Sequence, residues 1–416
     1  MVLSTDFPKM PEQLPLMLIL LILLLFAKVF GEICERFGIP ALTGEILAGL
    51  LLGPTILGLV HDSTEIHAVS DLGVLMLIVM AGLDIRGSEI RAAVRGRNIW
   101  IAILSFFIPG AGGFLLGYFF GFNLFFNTFL GLCLAISALP VSVRILMDLG
   151  KLHTDIGQMI ISSAIINDII ALLFLGVLLN AQDYSAFSSG FGVMMLKNLA
   201  KIVIFISVLI LIYRVFRIAR DRVGVFSPKL SKFLKLLKGR ESLFAICMIF
   251  VLAFSGLAEV LGLHFVIGAF FGAVLIPKEL FPKDDFIKMK EATSSMTMGF
   301  LAPIFFAYIG ILINIHSITN IVLLILVLVV VTFGKTLSGY LGGRIARLSH
   351  LQSLTLGFGM NTKGIMELVI ANIAYQKGFI DISMFTILVI VAIITTVFTP
   401  FLLKRSFRLA DKEKGR

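Results

Sequence analysis

An aspartate set in the middle of a long apolar run is the residue of this sequence best placed to do chemistry. Asp168 lies in "SSAIINDIIALL" (162–173), about twelve residues into its hydrophobic segment. At 1.5 Å per helical residue that is roughly 18 Å, close to the centre of a bilayer, and its short side chain cannot reach water from there. A carboxylate so placed needs a proton, a cation or a buried basic partner. Asn167 adds an amide carbonyl next door, and Ser163 adds a hydroxyl one turn earlier. Carboxylate, amide and hydroxyl oxygens are the hard ligands that an alkali cation takes. Ala164 and Ala171, at i−4 and i+3 from Asp168, leave room on its helical face. The pattern implies reversible binding of an ion and a proton rather than bond-making catalysis, and no catalytic residue is assigned. The competing role for Asp168 is that of a structural acid in a buried ion pair.

Other costly charges surround this candidate in sequence. Lys335, in "VTFGKTLSGYLGG", is the expected partner of Asp168, although about 13 Å of helix from Arg344 would let a long lysine snorkel to an interface. Lys363 and Glu367 are spaced i, i+4 and can neutralise each other, with Lys363 also offsetting helix-dipole ends at a break. Both fall in "LGFGMNTKGIMEL", where Gly357, Gly359, Asn361, Thr362 and Gly364 interrupt an apolar helix. "AISALPVSVRIL" interrupts another with Ser137, Pro140 and Ser142. Freed backbone groups inside a membrane must line a cavity or an ion, so Ser137 and Thr362 join the supporting candidates. Arg144 and Asp148 share the i, i+4 spacing near a span end and are read as interfacial. Glu45 and Glu259 fall inside or at the edge of spans, and burial between helices with a hydrogen-bond partner fits them at least as well as a transport role.

The elements that must position these groups are membrane helices. The 416 residues are 58% hydrophobic and 14% charged, where soluble chains carry about 25% charged residues, and the mean hydropathy is +1.04. Apolar runs of about 20 residues recur end to end. The reading is an all-α integral membrane protein with thirteen spans, at about 14–34, 40–59, 69–85, 98–121, 127–147, 156–179, 191–215, 241–261, 263–280, 294–315, 319–342, 351–375 and 382–403. The net charge of +10 reflects basic loops on one side of the membrane rather than nucleic-acid binding. Cys34, Cys133 and Cys247 have neither CxxC spacing nor a nearby histidine, so no disulfide framework or zinc site is expected. The first run lacks the basic start of a signal peptide and is read as a span.

Arginine and lysine fix the expected orientation. The loop with Arg86, Arg91, Arg95 and Arg97, the long basic loop at 214–240, the loop with Arg344 and Arg347 and the tail after Lys404 belong in the cytoplasm. Loops 60–68, 122–126, 180–190 and 314–318 contain no Lys or Arg. The N-terminus is then outside and the C-terminus inside. A repeat divides the chain: "GEILAGLLLGP" places Gly49 five residues before Pro54, and "GAFFGAVLIP" places Gly272 five before Pro277. The two copies are seven spans apart, and an odd offset makes the second enter from the opposite side, the inverted topology of many secondary transporters. The same shift carries Pro140 onto Lys363, pairing the two interrupted spans.

Several stretches in order resemble the monovalent cation:proton antiporters: 44–54, 135–152, 162–173, 300–313, 332–344 and "GMNTKGIMELVIANIA" at 359–374. The similarity is greatest to the branch with bacterial sodium or potassium/proton antiporters, potassium efflux proteins and plant cation/proton exchangers. The resemblance implies a sodium/proton antiporter-like fold whose interrupted helices cross, with Asp168 as ion and proton carrier preceded by Asn167, and Lys335 as a supporting lysine. It implies a homodimer and a core moving against a dimerisation part. On that basis 1–13 is a short extracytoplasmic N-terminus, 14–403 the transporter domain and 404–416 a cytoplasmic tail. Dimerisation parts are expected at about 14–85 and 241–315, core parts at about 98–179 and 319–403, and a linker helix at about 191–215. A multi-pass protein of the plasma (bacterial inner) membrane is implied, with no cofactor beyond the transported Na+ or K+ and H+. The chain shows no Rossmann glycine pattern, so the regulatory nucleotide-binding domain of the potassium efflux relatives is not expected in it.

Alternative functions have weaker support in the residues. A cation-coupled symporter of a small organic anion would want more polar groups than Asn361, Thr362 and the serines supply, and a potassium efflux protein would need a separate regulatory subunit. An intramembrane aspartyl protease needs two aspartates, and only Asp168 sits deep enough. A channel lacks a repeated filter loop. The expectation is therefore a secondary active transporter and not an enzyme.

Overall fold

The computed structural model describes residues 14–85, 98–179, 200–214 in part, 240–276 and 283–414, and among them all regular structure is helical. In chain order these helices are α1 (Leu16–Arg36), α2 (Ala41–Leu52), α3 (Thr64–Asp84), α4 (Asn98–Phe119), α5 (Leu124–Ala135), α6 (Leu139–Asp148) and α7 (Asp155–Leu179). After the long basic loop come α8 (Arg240–Val260), α9 (Phe265–Leu275), α10 (Lys283–Met296), α11 (Ala302–Leu312) and α12 (Ile321–Ile345). The chain ends with α13 (His350–Gly359), α14 (Ile365–Gln376) and α15 (Ile382–Lys414). Among the described residues eight helices are long and apolar enough to cross a membrane, and α2, α5, α9 and α14 are shorter apolar ones. Every expected span but the seventh therefore has a helical counterpart. Most of the seventh span, the arginine loop at 86–97, most of the basic loop at 214–240, Pro277 and residues 1–13 lie outside the described residues.

Three boundaries differ from expectation for physical reasons. The tenth span begins at Lys283, not near 294, because the polar helix formers of "KDDFIKMKEATSSM" extend the helix beyond its apolar part. A single π turn, Thr297–Leu301, joins α10 to α11. The second span is only twelve residues of helix, stopped at Gly53 just before Pro54. The tail runs on as helix, so α15 has 33 residues, about 50 Å against a hydrocarbon core of about 30 Å. Its end is tied to the loop before α7 by Lys151 and Asp411 at 2.8 Å.

Both expected interruptions are present. The fifth span breaks at Ile136–Ala138 between α5 and α6, one residue pair before Pro140, which occupies the first turn of α6 where its missing N–H costs nothing. The twelfth breaks at Met360–Gly364 between α13 and α14, and α13 itself starts with a capping box formed by Ser349 and Gln352. The two breaks meet. Ala138 N–H donates to Thr362 O at 2.9 Å, Ser137 Oγ to Met360 O at 3.1 Å, and the Ser142 and Thr362 hydroxyls are 2.5 Å apart. Ser137 and Met360 are 223 residues apart, the same offset that carries Pro54 onto Pro277 and Pro140 onto Lys363. Equivalent residues of two copies touch each other only beside the two-fold axis that relates them, so this bond supports the inverted repeat and puts its axis at the crossing.

Close helix contact holds the frame around the crossing. A Cβ on Gly339 of α12 would lie 2.5 Å from Gly357 Cα of α13, so the two backbones pack at a distance that only paired glycines permit. Helix α12 also packs along α4, and α4 in turn lies against α5 and α7. A separate group forms where α2 packs against α1 and α11, and α3 packs on α9 and α11.

Candidate ion-binding site

The crossing leaves helix ends pointing at one another in the middle of the protein, and two lysines answer them. The last carbonyls of α5 have no helical partner and carry the negative end of the helix dipole. Lys363 Nζ donates to Cys133 O at 2.9 Å, to Leu134 O at 3.4 Å and to Glu367 Oε1 at 2.9 Å. Lys335 Nζ donates to Ala135 O, to Ser137 Oγ at 2.7 Å and to Ser105 O at 3.0 Å. Ser105 O is available because Pro109, four residues on in α4, has no N–H to give it. An ammonium has three N–H donors, so both lysines are fully committed. Glu367 sits in the first turn of α14, where a negative charge meets the positive helix end. All three side chains are essentially unexposed.

Helix α7 passes this crossing, packed against α4, α5, α6 and α13, and Asp168 stands about midway along it. Asp168 is 1% exposed, and neither carboxylate oxygen has a hydrogen-bond partner. Asn167 Oδ1 and Ser163 Oγ, on the same stretch of α7, are likewise buried and unpartnered. The Asn167 Nδ2 instead donates to Ser105 Oγ on α4 at 2.9 Å. The result is four acceptor oxygens without a donor on one stretch of α7, beside a crossing in which the lysine donors are all taken. A bare carboxylate at such a depth costs about 3 kcal/mol or more on insertion scales. The donor set fits a proton or a dehydrated monovalent cation, either of which removes that cost.

The sequence candidates thus separate into two places. Asp168, Asn167 and Ser163 share α7, whereas Lys335, Lys363, Glu367, Ser137 and Thr362 gather at the crossing. Lys335, the expected partner of Asp168, makes no hydrogen bond to its carboxylate, and its three donors serve the crossing. Ser105 was not foreseen, and its signal was Pro109, which frees its carbonyl. Arg144 and Asp148 pair at 3.5 Å on an exposed face, as expected of interfacial groups. Glu45 is buried and lies 3.7 Å from Lys28, whereas Glu259 is exposed.

Comparison with known proteins decides the family. The family model described as "Sodium/hydrogen exchanger, transmembrane" matches residues 17–408. The chain belongs to this exchanger family. Among individual members it is 28% identical over 395 residues to the Na(+)/H(+)-K(+) antiporter GerN of Bacillus cereus, covering 94% of this chain and 96% of that protein. It is 28% identical over 389 residues to a Na(+)/H(+) antiporter of Enterococcus hirae, covering 93% and 96%. In structure it is similar to the sodium proton antiporter MjNhaP1 of Methanocaldococcus jannaschii, with a TM-score of 0.68 at 14% identity over 95% of this chain and 97% of that one. That likeness establishes the antiporter-like fold expected from the sequence, and the exchanger family makes the chain a multi-pass membrane transporter.

Proposed function

We propose that this exchanger-family protein is a secondary antiporter that exchanges a monovalent cation, Na+ or K+, for H+ by alternating access, with cation and proton competing for Asp168. The observation that carries the assignment is the pair of unpartnered Asp168 oxygens at 1% exposure, flanked by the unpartnered oxygens of Asn167 and Ser163. The nearby ammonium groups direct their hydrogen bonds elsewhere, so the Asp168 oxygens are left for cargo to meet. Loaded with a proton or a cation, the site is close to neutral and crosses the membrane barrier; empty, it is a bare charge and resists crossing. That difference couples the two fluxes. The carboxylate, the amide oxygen and the hydroxyl would hold the cation, and Lys335, Lys363, Glu367, Ser137 and Thr362 support them by keeping the crossing intact.

The wider assignments rest on less and are part of the same proposal. The packing of α4–α7 with α12–α15, apart from α1–α3 with α9 and α11, supports a core moving against a dimerisation part in a homodimer. The asymmetry of basic loops supports a cytoplasmic C-terminus, and the plasma membrane is the membrane proposed.

The test uses purified protein in liposomes with a preset pH gradient and a pH-sensitive dye, adding sodium, potassium, lithium or choline in turn. Dissipation by an alkali cation but not choline, in wild type and not in Asp168→Asn, is the expected result. Proton movement that follows cation addition equally in both proteins removes Asp168 from the mechanism.

A further inference from the structure

We propose that Ser105 is a positioning residue for ion binding, holding the Asn167 amide so that its oxygen rather than its nitrogen is offered beside Asp168; this rests on the assignment of Asp168 as the ion site. Asn167 is fully buried, and its Nδ2 donates to Ser105 Oγ at 2.9 Å. The Ser105 hydroxyl in turn donates to Ala102 O at 3.0 Å, within its own helix. With its single hydrogen so used, Ser105 Oγ acts as an acceptor toward α7. An amide turned over would set oxygen against oxygen, so the NH2 group faces α4 and Oδ1 is the end left free, as its lack of any donor shows.

The orientation decides what the site can hold. With Oδ1 free, the Asn167 amide presents an acceptor on the stretch of α7 that holds Asp168, and so suits a cation. With the amide reversed, the oxygen would be turned against Ser105 and an N–H group, which no cation takes as a ligand, would be presented in its place. Ser105 is itself fixed from its other end, because its carbonyl, freed by Pro109, takes a bond from Lys335. Removing the hydroxyl leaves that carbonyl in place, so the crossing and the amide orientation can be perturbed separately.

The experiment measures cation KM and maximal exchange rate in liposomes for wild type, Ser105→Ala, Ser105→Thr and Asp168→Asn, with thermal melting of each purified protein as the check on folding. Losing one buried hydrogen bond that orients a ligand raises KM by about tenfold in Ser105→Ala, with the maximal rate within about twofold of wild type. Ser105→Thr keeps the hydroxyl and restores KM to within about threefold. Should Ser105→Ala not fold, Ser105→Val against Ser105→Thr gives the same comparison at equal shape, and a KM difference of about tenfold is again expected. An unchanged KM in Ser105→Ala, or an equal fall of rate in the alanine and threonine variants, overturns the positioning role. Exchange that survives in Asp168→Asn overturns the ion site itself, whatever Ser105 does.

Discussion

Two buried polar regions lie side by side in this protein and solve opposite problems. At the crossing of the interrupted helices, two ammonium groups meet five oxygen atoms of the chain and one carboxylate oxygen, so that the lysine donors and the end of α5 are answered within the fold. On α7, Asp168, Asn167 and Ser163 present four oxygens and meet no donor. In the first region every lysine donor is met as folded, with Glu367 Oε2 and Asn361 Oδ1 the oxygens left over, whereas in the second none of the four oxygens is met until something is bound. A charge with its partners built in marks architecture, whereas a charge without them marks the place where cargo sits.

The largest expected effect breaks that contrast at its empty side. Asp168→Asn keeps shape and removes the charge, and cation-dependent proton movement should fall to the level of protein-free liposomes. Thermal stability should hold or rise, since an unpartnered buried charge is replaced by a neutral amide. A variant that loses stability along with exchange would place Asp168 among the structural charges. A subtler consequence of shared binding concerns pH in the wild type. Protons and cations competing for one group raise the apparent cation KM as pH falls, by at most about tenfold per pH unit, while the maximal rate at saturating cation changes little. A KM independent of pH across the active range would mean that the two ions use separate sites.

The full side of the contrast is tested by Lys363→Met, which strands Glu367 and uncovers the carbonyls of Cys133 and Leu134. Breaking a buried pair by removing one partner costs about 3–5 kcal/mol, read as a marked drop in melting temperature in detergent. Adding Glu367→Gln removes the stranded charge and should recover part of the loss. If Lys363→Met melts like wild type yet fails to exchange ions, the lysine belongs to transport and the contrast fails. Lys335→Gln should have a smaller effect, because a glutamine amide retains two donors for the three acceptors that Lys335 serves.

Much of this was legible in the sequence, and what was not has a common cause. Depth in an apolar run singled out Asp168, and helix-unfriendly residues at matching offsets singled out both interruptions, because these signals depend on local composition alone. The i, i+4 pairing of Lys363 with Glu367 was legible for the same reason. The partner of Lys335 was not: its choice depends on which carbonyls the crossing brings within reach, and Ala135, Ser137 and Ser105 are 198 or more residues away in sequence. Ser105 carried a local clue in Pro109, but a freed carbonyl does not say which donor will find it. The short second span was overextended because "LLGP" continues the hydropathy signal into a turn, where Gly53 and Pro54 stop the helix.

The smallest expected effect sharpens the contrast by supplying a case outside both regions. Lys151 and Asp411 form an ion pair at 2.8 Å, with side chains 27% and 55% exposed, between the loop preceding α7 and the end of α15. Water already solvates both groups, so Asp411→Asn should cost no more than about 1 kcal/mol, far below the loss from Lys363→Met. The same exposure makes the pair sensitive to salt, so its contribution should vanish in concentrated salt while that of Lys363 and Glu367 persists. Melting wild type, Asp411→Asn and Lys363→Met in low and high salt checks both statements together. Equal salt sensitivity at the two sites would mean that water reaches the crossing, and the division between charges balanced by the fold and a charge balanced by cargo would lose its basis.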